Sequence, residues 1–425
     1  MMGKINEIRK KKKYLILSLC SNLGLLFAFK YYNFFALYLN KTFSWLDLSA
    51  ALPHSNFLLP VGISFYTFQT IGYSIDVYYG RIKPEKHLGI YSLYVAFFSQ
   101  LVAGPIERAG NLIHQFKKHH EFDYQRVTSG LKLMMWGFFK KIVIADRLAV
   151  FADQVYNQPL KYNGASFIIG TVFFAFQIYC DFSGYSDIAI GSARVLGYRL
   201  MDNFKTPYLA RSIEDFWKRW HISLSLWFRD HLYIPLGGNR VSKFRWVINI
   251  AITFLLSGLW HGADWTFLIW GGLHGLFLIL SRAAAHIRNS ICSAVGLNRE
   301  GSLMRMAETF LTFTTVCFAW IFFRAESISD AWYIITHLNF GFNEFIQEDF
   351  IKHMIYLNQL SSEFWIAISL IVFLISTQFI EYKTDIVDFI SNKSFWFRWV
   401  VYIAVSLMVM NIGITHEIPF VYFQF

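Results

Sequence analysis

Charged residues are scarce in this chain: they make up 16% of its 425 residues, whereas hydrophobic residues make up 55%. Length alone would predict two or three soluble domains. The composition excludes that arrangement, because many uncharged runs are long enough to cross a bilayer. The sequence therefore predicts an all-α fold, a polytopic bundle of transmembrane helices that forms one integral membrane domain over residues 1–425.

Cysteine is also rare, and the four cysteines form no CxxC pair. Their scatter argues against a disulfide framework and against a cysteine-based metal site. The sequence contains no glycine-rich phosphate loop, no zinc-ligand spacing and no nucleophile elbow. We therefore expect no bound metal and no bound cofactor.

Acidic residues are outnumbered, with 28 Asp and Glu against 39 Lys and Arg, which gives a formal net charge of +11. Such a balance can indicate nucleic-acid binding, but here the basic residues fall between apolar runs. A solvated cytoplasmic face explains this distribution more economically, and we expect no nucleic-acid partner. The basic run 9–13 before the apolar segment 14–39 predicts a first span that begins in the cytoplasm.

Roughly ten spans are predicted from the apolar runs. Proline and glycine in the second run predict a kinked or interrupted helix, and charged residues interrupt the fourth. The sequence shows no internal repeat and no low-complexity tract, and its longest polar intervals, near 282–307 and 337–363, have room for surface helices. The predicted spans are 14–39, 48–75, 88–103, 131–150, 164–180, 246–260, 265–280, 310–323, 364–380 and 399–414.

The stretch 216–275 contains the two histidines of greatest interest. His261 follows Trp260 at the end of the apolar run 246–260, and a second apolar run begins at Trp265. The short separation predicts a helical hairpin or a re-entrant break within the membrane, either of which must be buried in protein or line a cavity. An ionisable residue at that depth is functional by default. A neutral imidazole there could be a general base, and a hydrogen bond to a neighbouring helix is the structural alternative.

His221 follows Trp220 in a segment where aromatic residues at helical spacing alternate with lysine and arginine. That pattern predicts an amphipathic segment in the membrane interface, where a histidine usually has no special role. A basic platform that docks an acidic, phosphate-bearing donor or a partner protein is the alternative.

Two acidic residues, Asp181 and Asp187, lie in an apolar context with small residues. They could form an acid–base pair, but carboxylates in a helical bundle more often pair with arginine. We therefore predict a structural role for both, with Arg194 or Arg211 as the partner. Arg324, directly after a span, is interpreted as an interface anchor.

Six segments of the chain resemble motifs of one known family, the membrane-bound O-acyltransferases (MBOAT). They are most similar to the branch that contains the alginate O-acetyltransferases (AlgI type) and the teichoic acid D-alanyltransferases (DltB type), and more to the first of these. The resemblance covers nearly the whole chain, and several separated motifs in one order make it specific. The segments are LVAGPIERAG (101–110), CDFSGYSDIAIG (180–191), FWKRWHISLSLWFRDHLYIPLGGNR (216–240), LLSGLWHGADWTFLIWGGLHG (255–275), FFRAES (322–327) and PFVYFQF (419–425).

The resemblance implies a ring of spans around a thinned centre, where a central tunnel joins funnels from the two membrane faces. It implies that His261 is the catalytic general base and that His221, the second expected catalytic residue, is its partner in the same tunnel. The implied activity is transfer of an acyl group, expected to be acetyl, across the bacterial inner membrane to hydroxyls of an extracytoplasmic polysaccharide such as alginate or a similar exopolysaccharide. An acyl thioester, acetyl-CoA or a carrier-bound acyl group, would be the donor. Extracytoplasmic acyl-relay proteins and membrane lipids are the other expected partners.

Two other functions remain as alternatives. D-alanyl transfer to teichoic acid is the alternative enzyme activity, and a multi-pass transporter is the alternative from another class, although transporters more often contain internal repeats. The candidate oxyanion donors are Trp260, Trp220 and backbone N–H groups near Gly262. Because family members usually begin with further hydrophobic segments, we expect that N-terminal spans are missing from this chain.

Overall fold

The computed structural model describes residues 2–285, 290, 298, 301–339, 351–414 and 418–421, with side chains from residue 11 onward. All regular secondary structure within these ranges is helical, which confirms the predicted fold class. Cys292, the last four residues of the motif at 419–425, and parts of both polar intervals lie outside the described residues.

The helices follow one another along the chain with short connections, and π-helical turns at Phe27–Tyr31, Phe139–Ala145 and Arg229–Tyr233 extend several of them. The α-helices of the described residues are α1 (Met2–Leu26), α2 (Tyr32–Trp45), α3 (Ile63–Tyr78), α4 (Leu88–Val95), α5 (Ala109–Leu112), α6 (Tyr124–Phe138), α7 (Asp146–Tyr156), α8 (Ala165–Val195), α9 (Ile213–Arg219), α10 (Ile222–Phe228), α11 (Lys243–His261), α12 (Trp265–Ala283), α13 (Ser302–Arg324), α14 (Ile328–Thr336), α15 (Ser361–Glu381), α16 (Ile386–Ser391) and α17 (Phe395–Asn411).

Several helices have the length and composition of membrane spans. In the described part of the chain there are six of them, namely Lys11–Trp45, α8, α11, α12, α13 and α15, and α17 is a shorter apolar helix. These six segments and α17 together coincide with seven of the predicted spans. The predicted total of roughly ten stays a prediction.

Three predicted spans are not among these segments. The run 131–150 is helical and belongs to a longer helical stretch formed by α6, the π-helical turn at Phe139–Ala145 and α7, whereas the runs 48–75 and 88–103 are only partly helical. Only α3 of the run 48–75 is helical, because the chain enters it through Gly62, which has a left-handed φ of 77°. A side chain at Gly62 would lie 2.4 Å from the carbonyl oxygen of Leu101, so the helix begins at a close backbone contact. The run 88–103 forms the short helix α4 and then turns.

Among the six candidate membrane spans of the described residues, α8 is the most buried, and it packs along α6 through pairs of glycines. A Cβ added at Gly184 would lie 2.7 Å from the carbonyl oxygen of Gly137, and one added at Gly191 would lie 2.7 Å from that of Gly130. Glycines at matching positions let helix backbones approach closely in a membrane. This contact places α8 in the centre of the described bundle.

A tight antiparallel hairpin joins α11 and α12 across residues 262–264, and it confirms the first of the two predicted arrangements. A Cβ at Gly258 would lie 2.2 Å from the carbonyl oxygen of Phe267, and one at Gly271 would lie 2.3 Å from that of Phe254. Asp264 Oδ1 accepts a 2.9 Å hydrogen bond from the backbone N–H of Thr266 and caps α12. The hairpin places the end of α11 at a turn.

Candidate active site

His221 lies at a break between the short helices α9 and α10. Its backbone is left-handed, with φ 42° and ψ 55°, which is uncommon for a residue other than glycine and is often seen at functional sites. The side chain is fully buried, and so is Trp220. His221 therefore does not lie on the exposed face of an amphipathic helix that its spacing predicts, because the break turns the aromatic residues of both short helices into the core.

Asn203 holds the buried His221. Its Oδ1 accepts hydrogen bonds from His221 Nδ1 at 3.0 Å and from the Ser223 hydroxyl at 2.9 Å, and its backbone oxygen accepts one from the N–H of Ile222 at 2.9 Å. The Ser223 N–H also points at Oδ1, at 3.4 Å. Because a backbone N–H can only donate, the amide oxygen faces this group, and Nδ1 of His221 carries the proton.

The ring of His261 lies among aromatic side chains from three helices. Its centroid is 4.9 Å from that of Trp260, 4.9 Å from that of Trp270 and 5.4 Å from that of Phe323. His261 is the last residue of α11 and is buried. The hairpin turn and α13 therefore hold the imidazole in a largely apolar cluster.

Trp260 connects the two histidines. Its ring centroid lies 5.9 Å from that of His221 and 4.9 Å from that of His261, and Phe65 contacts both Trp260 and His221. The structure thus brings both sequence-predicted site residues into one buried cluster. Their catalytic roles stay predictions.

Two parts of the chain that sequence reasoning did not connect to the site also reach it. The Lys30 ammonium donates hydrogen bonds to the backbone oxygens of Trp260 at 2.8 Å and His261 at 2.9 Å. The second of these parts is Asn203, which binds His221. The sequence does single out Lys30, because it is the only charged residue in the apolar segment 14–39. No spacing or periodicity in the sequence singles out Asn203.

A cavity of about 600 Å³ opens beside the end of α11. Its charged lining residues include Lys30, Asp264 and Arg324. Arg324 donates to Asp153 Oδ1 at 2.5 Å and to the Asn157 side chain at 2.9 Å, and it is 9% exposed. Arg324, which is predicted to be an interface anchor, is therefore buried in the wall of this cavity, where Asp153 of α7 is its acidic partner.

A second cavity of about 510 Å³ lies between α9, α10, α11 and α12 and is lined mainly by apolar side chains. Ser257, one helical turn before His261, contributes to its wall, while Lys218, Arg229 and Arg282 supply positive charge. A hydrogen bond from Lys218 holds the pKa of the Glu214 carboxyl, which also lines the cavity, below its ordinary value. The apolar cavity thus contacts α11 one helical turn before His261, and the other cavity contacts the hairpin turn directly after it.

Asp181 and Asp187 form ion pairs, as predicted, but with lysine and not with arginine. Asp181 lies 2.7 Å from Lys141 Nζ, and Asp187 lies 2.6 Å from Lys140 Nζ. The packing of α8 on the π-helical turn at Phe139–Ala145 places both lysines against it. The two predicted arginines bind elsewhere, Arg194 to the Ser129 hydroxyl and Arg211 to Glu308.

The segment 418–421 also reaches the site. The Val421 N–H donates to Asp181 Oδ2 at 2.7 Å. The Phe420 ring lies 5.2 Å from that of Tyr185 and 6.0 Å from that of Phe182, and Phe182 in turn lies 4.7 Å from His221. The described residues of this motif, 419–421, therefore contribute to the packing behind His221.

Comparison with known proteins identifies the family of this chain. The family model described as "MBOAT, membrane-bound O-acyltransferase family" matches residues 86–303, which include both histidines. The chain belongs to the membrane-bound O-acyltransferase family. This confirms the predicted resemblance and the prediction of a membrane protein.

Similar proteins carry three different names. One named "Probable alginate O-acetylase AlgI", from Pseudomonas aeruginosa, is 41% identical over 325 residues, which cover 76% of this chain and 60% of that protein. The "Peptidoglycan O-acetyltransferase" of Helicobacter pylori is 32% identical over 455 residues, which cover 98% of this chain and 83% of that protein. The "Teichoic acid D-alanyltransferase" of Streptococcus thermophilus is 31% identical over 304 residues, which cover 65% and 70%. The chain thus spans about three-fifths of the length of the AlgI relative.

Proposed function

We propose that this chain is a membrane-bound O-acetyltransferase that transfers acetyl groups from a cytoplasmic thioester to hydroxyls of an extracytoplasmic polysaccharide in the bacterial inner membrane. Family membership and the names of the two O-acetylating relatives support the reaction class. The observation that carries the site assignment is the position of His261. It ends α11 one helical turn after Ser257, which lines the apolar cavity, and directly before Gly262, which lines the other.

The chemistry needs one base and two access routes. His261 accepts the proton of the attacking hydroxyl, the new C–O bond forms at the thioester carbonyl, and the C–S bond breaks as the tetrahedral intermediate collapses. The proton then passes from His261 to the departing thiolate, so the enzyme is regenerated. A positioned general base contributes about 100- to 10,000-fold in rate.

The charge distribution supports a different substrate for each cavity. Lysine and arginine concentrate on the cytoplasmic side of membrane proteins, and three of them line the apolar cavity. That cavity suits a donor with a phosphate-bearing head and an apolar thioester arm. The cavity at Gly262 mixes carboxylates with Lys30 and Arg324, and such polar groups suit the hydroxyls of a sugar.

His221 supplies the second polar group of the site. Its proton lies on Nδ1, held by Asn203, and its ring shares the Trp260 contact with His261. We place it beside the path of the acyl group, where it orients the thioester and exchanges no proton with the acceptor.

The acceptor class is a polysaccharide with free hydroxyls. Alginate or a similar exopolysaccharide is the first candidate, because of the AlgI relatives. Peptidoglycan is the second, because the peptidoglycan O-acetyltransferase aligns with 98% of this chain. D-alanyl transfer to teichoic acid is a further candidate through a relative of that name.

The test measures acyl groups released by base from envelope and secreted polysaccharide. Cells carry the native chain, His261→Ala, the control His54→Ala at an exposed histidine, or no chain, at equal levels of membrane protein. We expect acetate with the native chain and with the control, and none with His261→Ala. Released D-alanine would support the teichoic acid reaction, and ester formation by His261→Ala at the native level would refute the role of His261.

A further inference from the structure

Lys30 is the only charged residue in the apolar segment 14–39. A charged residue inside a membrane span is costly and rare, and it usually has a specific partner. Lys30 lies in the π-helical turn at Phe27–Tyr31, and such turns are frequent at functional sites. The two nearest partners of Lys30 lie more than 200 residues away in the chain, and the Ser64 hydroxyl lies 3.5 Å from its ammonium.

The side chains of Lys30 and its neighbour Tyr31 bind the end of α11. The Lys30 ammonium donates to the backbone oxygens of Trp260 and His261 at 2.8 and 2.9 Å. The Tyr31 hydroxyl donates to the backbone oxygen of Leu259 at 3.0 Å. Two adjacent side chains therefore bind three consecutive carbonyl groups.

These carbonyl groups belong to the last turn of the helix. The last four carbonyls of an α-helix have no partner within that helix, and the partial negative charge at a helix C-terminus favours a cation. The Gly258 carbonyl accepts from the Gly262 N–H at 3.3 Å. The first span provides donors for the three that follow, and His261 is the last of them.

We propose that Lys30, with Tyr31, is a positioning residue for His261. The inference rests on the proposed function, because it adds a role for the first span to the same site. The first span packs on α3, and the Trp260 indole N–H points at the Ser64 oxygen at 3.4 Å. The contact fixes the last turn of α11 against this pair of helices, and so fixes the imidazole one helical turn beyond Ser257 of the apolar cavity and directly before Gly262 of the other. The family match at 86–303 does not include Lys30.

The experiment uses the full chain in lipid nanodiscs and two readouts. Lys30→Met keeps the length of the side chain and removes the charge, and Lys41→Met removes an exposed lysine farther along the same helical segment. We expect the kcat of Lys30→Met for acyl transfer to fall 10- to 100-fold, with the donor KM within twofold of native. Hydrogen–deuterium exchange should become about 10-fold faster in peptides covering 255–267 and remain native in α8.

The second readout separates this inference from the proposed function. If the native chain transfers no acyl group, the proposed function is refuted. Faster local exchange in Lys30→Met would then still support the structural contact. The positioning role would be overturned if Lys30→Met kept the native turnover, or if it kept the native exchange rate. Faster exchange throughout the bundle would overturn it as well. If Lys30→Met does not fold, Tyr31→Phe removes a single hydroxyl, and we expect a two- to fivefold loss of kcat with the same local pattern.

Discussion

Asn203 Oδ1 lies 3.0 Å from Nδ1 of His221, and this contact decides which nitrogen of the histidine carries the proton. Both side chains are buried. The same oxygen also accepts from the Ser223 hydroxyl. Asn203 therefore holds the left-handed turn between α9 and α10 in place and orients His221 at the same time.

The first prediction concerns Asn203→Leu. This change has a similar volume and removes the acceptor, so His221 Nδ1 and Ser223 lose their partner in a buried place. An unsatisfied buried polar group costs about 1–3 kcal/mol, and we expect the melting temperature to fall and acyl transfer to drop at least 10-fold. Thermal unfolding in detergent and ester release measure the two effects. Asn163→Leu, at an exposed asparagine, should leave both unchanged, and a fully active Asn203→Leu would exclude a role in orienting His221.

The second prediction concerns the indole of Trp260, a candidate oxyanion donor from the sequence. Its N–H points at the Ser64 backbone oxygen, so we expect the ring and not the N–H to matter. Trp260→Phe should keep acyl transfer within about threefold, and Trp260→Ala should abolish it because the packing between His221 and His261 is lost. Removal of an oxyanion-hole donor costs about 100- to 1,000-fold in kcat. A loss of that size in Trp260→Phe, with native stability, would show that the N–H does serve as a donor.

The third prediction tests the glycine contact in the α11–α12 hairpin. A Cβ at Gly258 would lie 2.2 Å from the Phe267 carbonyl oxygen, and backbone cannot yield as a flexible side chain does. Gly258→Ala should therefore destabilise the protein by about 1–3 kcal/mol, the range for overpacking, and displace His261 enough to reduce activity. Gly24→Ala is the matched control, since a Cβ there meets nothing within 4 Å. Equal melting temperatures for the two variants would contradict the close contact.

The position of His261 could be predicted because it follows from chain connectivity. Two apolar runs separated by four residues predict a hairpin or a re-entrant break, and in either arrangement the histidine lies at the turn. The burial of His221 could not be predicted in the same way. The aromatic residues around it have the spacing of an amphipathic helix, and no glycine marks the left-handed turn that divides that helix in two.

Partners distant in sequence explain most of the other errors. Asp181 and Asp187 were correctly predicted to form structural ion pairs, but the choice between arginine and lysine depends on which helix packs against α8. Lys30 contacts residues 230 positions away, and composition reveals only that its charge is unusual. Contacts of this kind depend on the arrangement of the helices, which local patterns do not determine.

The fourth prediction concerns the buried ion cluster around Lys141. Its Nζ lies 2.6 Å from Asp146 Oδ1 and 2.7 Å from Asp181 Oδ1, and Asp181 also binds the Val421 N–H. Lys141→Met leaves two buried carboxylates without their cation, and breaking a buried pair in this way costs about 3–5 kcal/mol. We expect a large fall in melting temperature and in the yield of folded protein.

The partner variants make this prediction specific to charge. Lys141→Met combined with Asp181→Asn removes the cation and one of its carboxylates, so it should recover part of the lost stability. Arg81→Met, which breaks an exposed pair with Asp76, should cost less than about 1 kcal/mol. If Lys141→Met proves no more harmful than Arg81→Met, the cluster does not stabilise the bundle. A double variant that is less stable than Lys141→Met would instead show that the Asp181 contact with Val421 outweighs the charge.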